Sequence, residues 1–260
     1  GAVADRSGDA EAQGAAELLD RPPASDAGEV AVGRRHFVHQ LGVGAALGVG
    51  ASAGFYGTLL GRADFVTEEV ELALPKLPPS LSGFTVVQLS DLHIGTFVGD
   101  AEFRVAEELV RRARPDLLVL TGDLLDSSAR YAPQLGQLVR RLQPLARHGV
   151  VGILGNHDHM AGPAEVRAAM RGAGARVLDN QALRIQDTSG EGFHLLGVDD
   201  IWARRYGGGG PDLEAALKGT SDQEARVLLA HNPSFFEQAA SHVDLQLSGH
   251  THGGQVTLFI

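Results

Sequence analysis

Cysteine is absent from all 260 residues. That removes disulfides, thiolate metal sites, iron–sulfur clusters and cysteine nucleophiles together, and it leaves the redox compartment open. Lysine is almost absent as well, with Lys76 and Lys218 standing alone. The 22 basic residues face 32 acidic ones, a net charge of −10, so the chain lacks the cationic excess that neutralises a phosphate backbone. Residues 64–260 alone carry −8, and no basic stripe offsets it, so no nucleic-acid partner is expected. Aromatic residues make up only 5%. What remains is an ordinary globular mixture, 43% hydrophobic and 21% charged, long enough for one domain of about 200 residues plus an extension.

Three parts follow from the pattern. Residues 1–33 are Ala, Gly, Asp and Glu without an aromatic side chain, and they bury too little apolar surface to offset ordering entropy, so disorder is expected. Residues 34–61 begin with Arg34-Arg35-His36-Phe37-Val38 and continue from Leu41 to Leu60 as 20 residues without a charge, six of them glycine. Twenty apolar residues reach about 30 Å as a helix, enough to cross a bilayer, whereas six glycines make a poor soluble helix. The arginine pair ahead of a mildly apolar, glycine-rich stretch resembles a twin-arginine export signal, and Ala51-Ser52-Ala53 offers a cleavage site. A cleaved signal and a retained anchor both fit. Either implies an extracytoplasmic location, with the membrane (through residues 41–60) or the export machinery as partner. Gly50-Ala51-Ser52-Ala53-Gly54 and Gly48–Ala53 match a nucleophile elbow and a dinucleotide fingerprint in letters only, because no strand precedes and no helix follows them.

From Asp64 onward the pattern alternates strands and helices. Strands are expected at Val66–Leu74, Thr85–Leu89, Leu117–Thr121, Val150–Leu154, Ala182–Ile185, His194–Val198, Arg226–Leu229 and Leu245–Leu247. Helices are expected at Ala101–Arg114, Pro133–Leu145, Ala164–Arg171 and near Ser234–Ala240. Gly207–Gly210 reads as a flexible loop, and Trp202, Arg204 and Arg205 ahead of it as solvated. Repeated β-α-β order gives a layered α/β domain whose ligands bind beyond the carboxyl ends of the strands.

Polar residues gather at those ends. The expected strands run into Ser90-Asp91-Leu92-His93, Thr121-Gly122-Asp123, Gly155-Asn156-His157-Asp158-His159, Ala230-His231-Asn232-Pro233 and Ser248-Gly249-His250-Thr251-His252. In one crevice they would assemble Asp91, His93, Asp123, Asn156, His231, His250 and His252. All are nitrogen or oxygen donors suited to Mn, Fe or Zn. Seven donors are too many for one transition-metal ion and suit two, with one carboxylate shared. Two dications against Asp91, Asp123 and one hydroxide leave a charge near +1, which attracts a phosphate anion. Metal binding brings water to a pKa of about 7, so no serine or cysteine nucleophile is needed. His157 is then free to protonate the leaving oxygen as general acid, with Asp158 to orient it. His148, His159, His194 and His242 read as structural.

These blocks resemble the signature motifs of the calcineurin-like metallophosphoesterases. The longer runs Leu229–Pro233 and Leu247–Gln255 resemble its branch of membrane-associated or twin-arginine-exported bacterial phosphoesterases. The resemblance covers about residues 64–260. It implies a four-layer α/β/β/α sandwich and two divalent ions, one held by Asp91, His93 and His252, the other by Asn156, His231 and His250, with Asp123 bridging. It also implies a phosphodiester or pyrophosphate substrate, lipid-linked or a nucleotide sugar such as UDP-2,3-diacylglucosamine in some relatives. Relatives continue past the Gly253-Gly254 segment, so the last C-terminal strands of the sandwich are expected to be missing. Two alternatives stand beside this reading: a nuclease or nucleotide phosphodiesterase of the same superfamily, and a non-catalytic metal-binding scaffold.

Overall fold

A computed structural model describes residues 67–252. They belong to a compact unit that runs from Ala63 to Ile260. The expectations for residues 1–33 and 34–61, and for any strand after His252, lie outside the described residues.

Among the described residues, eight strands form two sheets of four. In the first, β1 (Val86–Leu89), β2 (Leu117–Thr121), β3 (Val150–Ile153) and β4 (Arg176–Val177) lie side by side in chain order, all parallel. In the second, β5 (Gln181–Gln186) pairs antiparallel with β6 (Gly192–Gly197), which continues parallel to β7 (Arg226–Leu229) and β8 (Leu245–Leu247). The helices are α1 (Asp100–Ala113), α2 (Ala132–Leu142), α3 (Asn156–Ala161), α4 (Pro163–Gly172), α5 (Leu213–Leu217) and α6 (Phe236–Ala239).

The layering follows from the two-residue period of a strand. Leu118, Leu120 and Val150 point to one face, into a core with Phe103 and Val110 of α1, Leu135, Leu138 and Val139 of α2, and Val166 and Met170 of α4. Leu117, Val119, Val151 and Ile153 point to the other, against Phe193, Leu195, Val227 and Leu229 of the second sheet. Leu196 and Leu228 face outward again, under Ala216 of α5 and Phe235 and Ala239 at α6. A strand apolar on both faces is thus a strand with a layer on each side, and the product is the α/β/β/α sandwich.

Five elements differ from expectation. Residues 67–74 form no strand: Val70 and Leu72 are exposed, and no strand among the described residues pairs with them. The alternating pattern there has no backbone partner to act on. Helix α3 was not expected, because Asn156–Ala161 holds no apolar period; Asp158 at its third position reaches back to the Gly155 N–H at 3.0 Å and starts it. β4 and α5 are too short to leave a periodic signal. Lastly, Gly207–Gly210 is a tied segment. Ala203–Tyr206 makes a 3₁₀ turn, the Gly208 N–H donates to the Ala203 carbonyl, the Gly210 N–H to the Asp199 carboxylate, and Arg204 Nε to the Gly209 carbonyl.

Candidate metal centre

All the polar blocks leave the carboxyl ends of β1, β2, β3, β7 and β8. The first two are laced together by backbone: Asp91 N–H donates to Gly122 C=O, His93 N–H to Asp123 C=O and Ile94 N–H to Leu124 C=O, at 2.9–3.0 Å. Gln88 ties one sheet to the other, its Nε2 donating to Thr121 Oγ1 and to the Ser248 carbonyl, both at 2.8 Å.

Backbone conformation marks the donors. Seven non-glycine residues among those described have positive φ, and five of them are Asp91, His93, Asp123, His250 and His252. Left-handed backbone is unfavourable for residues with a Cβ, and it persists where the surroundings over-determine it, commonly at functional sites. Two glycines make the close approach sterically feasible. A Cβ on Gly155 would lie 2.5 Å from Asp123 N and 2.9 Å from His231 Cδ2, and one on Gly249 would overlap Ser90 Oγ and Asp91 Oδ2.

The donors gather into two clusters. Asp91, His93 and His252 offer ligand atoms within 4.8 Å of one another, as do Asp123, His231 and His250. A third group, His93, Asp123 and His157, spans the two. Within the first, His93 Nε2 and His252 Nε2 face each other at 3.2 Å, and Asp91 Oδ1 lies 3.5 Å from His252 Nε2. The Asp91 carboxylate also accepts the His250 N–H at 3.0 Å. Within the second, His231 Nε2 lies 3.2 Å from Asp123 Oδ2. Asn156 stands at the head of α3, next to Gly155, with its Oδ1 buried and unpartnered.

The chemistry of these contacts fits cations. His231 Nδ1 is 2.8 Å from the Thr121 carbonyl, which can only accept, so Nδ1 carries a proton and Nε2 presents a lone pair. That lone pair is buried without a hydrogen-bond partner and points toward a carboxylate. Two acceptors this close require a proton or a cation between them. Burial alone would lower the His231 pKa; the Asp123 carboxylate outweighs it and lifts it to about 9. Burial works against the ionised Asp123 too, yet His231 and the His157 N–H hold its pKa below the usual range. At His93 burial dominates and lowers the pKa, against Asp123, with His157 and His252 adding to the fall.

Asp158 does not orient His157. Its carboxylate is fully buried and accepts three backbone N–H groups, those of Leu124, Leu125 and Gly155, at 2.9–3.2 Å. Burial nonetheless pushes its pKa up to about 6. It braces the loop that carries Asp123. His157 is oriented instead by the Asp126 carbonyl, 2.5 Å from Nδ1, while its own N–H donates to Asp123 Oδ1 at 2.8 Å. Its ring stands edge-on to His93, with centroids 4.6 Å apart.

A further polar block, absent from the expected donor set, follows β6. Asp199-Asp200 follows that strand as the other polar blocks follow theirs, and both residues are buried. Asp199 Oδ1 is 2.6 Å from Nε2 of His159, which is buried on α3, so the segment bearing Trp202 is anchored to the helix bearing Asn156 and His157. Asp200 accepts the Trp202 N–H at 2.8 Å.

The family model of the calcineurin-like phosphoesterases matches residues 84–254. The chain belongs to that family. It is 31% identical over 231 residues to the uncharacterized metallophosphoesterase YkuE of Bacillus subtilis, covering 86% of this chain and 78% of that one. It is also 34% and 37% identical to proteins of Danio rerio and Bos taurus, each named a transmembrane protein with metallophosphoesterase domain. Those matches cover 72% of this chain, which spans 44% of either relative. The family is one of phosphoester hydrolases that use divalent metal ions. No helix among the described residues is long and apolar enough to cross a membrane.

Proposed function

We propose that the chain hydrolyses a phosphodiester or pyrophosphate at a pair of divalent cations, one held by Asp91, His93 and His252 and the other by Asn156, His231 and His250, with Asp123 shared. The observation that carries this reading is the pairing of the two donor clusters, with Asp123 in one and also in the group that reaches His93 of the other. Cations bound there supply an acidified water and polarise the phosphoryl oxygens.

The chain's own groups do the rest. The Thr121 carbonyl fixes the His231 tautomer and aims Nε2 inward. The Asp126 carbonyl holds the Nδ1 proton of His157, so the Nε2 proton is the one available to the leaving oxygen. Asp158 holds the backbone around Asp123 in place. The net charge of −10 includes Asp91 and Asp123, and cations held there would offset those two carboxylates and favour an anionic substrate.

For the substrate, the reading extends to an amphiphilic or nucleotide-linked phosphoester of the cell envelope. Trp202 and Tyr206 are partly exposed on the anchored segment after β6, and the Arg205 guanidinium stacks over Trp202 at 4.6 Å, a surface suited to a large planar or apolar group next to an anion. Tethering or export through residues 34–61 accords with the two relatives named transmembrane.

Purified chain supplied with Mn²⁺ or Zn²⁺ should hydrolyse bis(p-nitrophenyl) phosphate, and Asp123→Asn should abolish that hydrolysis. Equal turnover by the variant would remove the mechanism. Metal uptake without any turnover in the parent would favour a scaffold.

A further inference from the structure

A cavity of about 540 Å³ opens between the start of β3, the approach to β4 and the end of β5. It lies at the opposite ends of the first sheet's strands from the donor clusters. Its wall includes Arg147, His148, Arg176 and Arg184 and not one carboxylate, in a chain with an excess of ten acidic residues. Arg184 is fixed in place by a two-pronged contact to Glu224 at 2.7 and 2.9 Å, with Gln186 and the Gly190 carbonyl taking its other donors. Arg147 and Arg176 have no carboxylate partner among the described residues, unlike the arginines of α1, which pair within their own helix.

His148 sits beside Arg147 on this wall. Arg147 approaches its Nε2 at 3.3 Å. Burial first, then the charges of Arg147 and Arg176, hold the His148 pKa below its usual value, with Asp116 pulling the other way. The frame behind them is rigid. Gln143 Oε1 accepts the Val150 N–H at 3.0 Å, and Gly149 and Gly174, at φ +74° and +94°, close around the same side chain.

We propose that this cavity is a second binding site, for a small polyanion of the oligophosphate class, gripped by Arg147 and Arg176 beside the paired Arg184. Guanidinium forks match phosphoryl oxygens two at a time, and these two have no carboxylate to neutralise them among the described residues. The volume falls in the range of about 300–1,000 Å³ that holds small-molecule ligands, more than a lone anion fills. Strand β3 runs from this wall to Gly155, and four residues at roughly 3.3 Å each keep the two sites separate. The occupant is therefore not the group being hydrolysed.

Inorganic pyrophosphate titrated calorimetrically at low salt into the metal-loaded full chain should fill two classes of site. Arg147→Ala combined with Arg176→Ala should remove one class, or weaken it by about tenfold or more, while hydrolysis of bis(p-nitrophenyl) phosphate stays within about twofold of the parent. Both arginines are exposed, so this variant keeps its fold. Asp123→Asn should keep the class that the arginine variant loses. Pyrophosphate binding unchanged by the arginine substitutions, or confined to the class that Asp123→Asn removes, would overturn the site. Failure of the hydrolytic reading would appear separately, as turnover retained by Asp123→Asn.

Discussion

The two ends of the strands solve the same backbone problem with different residues. At the carboxyl ends, left-handed conformations fall on Asp91, His93, Asp123, His250 and His252, side chains that make such a backbone costly, and otherwise on Gly122 and on Asn180, which leads into β5. At the amino ends the same conformations fall on Gly83, Gly149 and Gly174, where they cost little; Arg114, closing α1, is the exception. One end retains strain because the side chain is needed at that position, and the other avoids it. Buried polar atoms without partners occur at both ends, Arg226 Nε among them at the start of β7. Ser90 Oγ, Asn156 Oδ1 and His231 Nε2 lie among the donors, where a cation would satisfy the latter two.

The largest effect that would break this contrast comes from His157, the proposed general acid. His157→Ala should lower turnover on bis(p-nitrophenyl) phosphate by about 100- to 10,000-fold with metal content unchanged. Loss of metal by elemental analysis would instead make His157 a ligand, as its grouping with His93 and Asp123 permits. Next come matched glycine substitutions. Gly155→Ala places a methyl against Asp123 N and His231 and should eliminate activity. Gly149→Ala meets only the amide end of Gln143, at 2.6 Å, and should cost about 1–2 kcal/mol in urea unfolding while activity persists. Equal losses of activity at both positions would erase the distinction.

Much of this contrast is legible in the residues themselves. Polar blocks directly after apolar runs mark one end of the strands, and six of the seven donors, all but Asn156, fall into groups that could hold a metal ion. What the sequence hides is contact made by backbone. Asp158 sits next to His157 and invites pairing with it, but a helix turns successive side chains apart, and the carboxylate finds three N–H groups from distant loops. The run Val66–Leu74 fails for the opposite reason: it has the right period but no neighbouring strand among the described residues. The four glycines at 207–210 suggest freedom, yet their backbone groups are tied to Asp199, Ala203, Arg204 and Asn180.

The buried His159–Asp199 pair gives a smaller effect. Burial opposes ionisation of Asp199, but the hydrogen bond from His159 outweighs it and depresses the pKa. A depressed carboxylate stabilises the fold above its unfolded pKa of about 3.9, and that stabilisation is lost as the pH falls through the folded value. Asp199→Asn should therefore destabilise the chain by about 3–5 kcal/mol at pH 7, and the difference from the parent should shrink below pH 4. A constant difference across that range would show that the pair contributes through packing instead of charge. Smallest of all, Glu108→Gln on α1 removes only exposed ion pairs and should leave the urea-unfolding midpoint essentially where it is.

The central claim is that the residues after β1, β2, β3, β7 and β8 hold two cations with Asp123 between them. The most direct measurement is metal content per chain after loading with Mn²⁺ or Zn²⁺ and exhaustive dialysis, for the parent and for Asp123→Asn. Two ions in the parent and one or none in the variant are expected. A parent that retains at most one, or a variant that retains two as firmly, would contradict the claim.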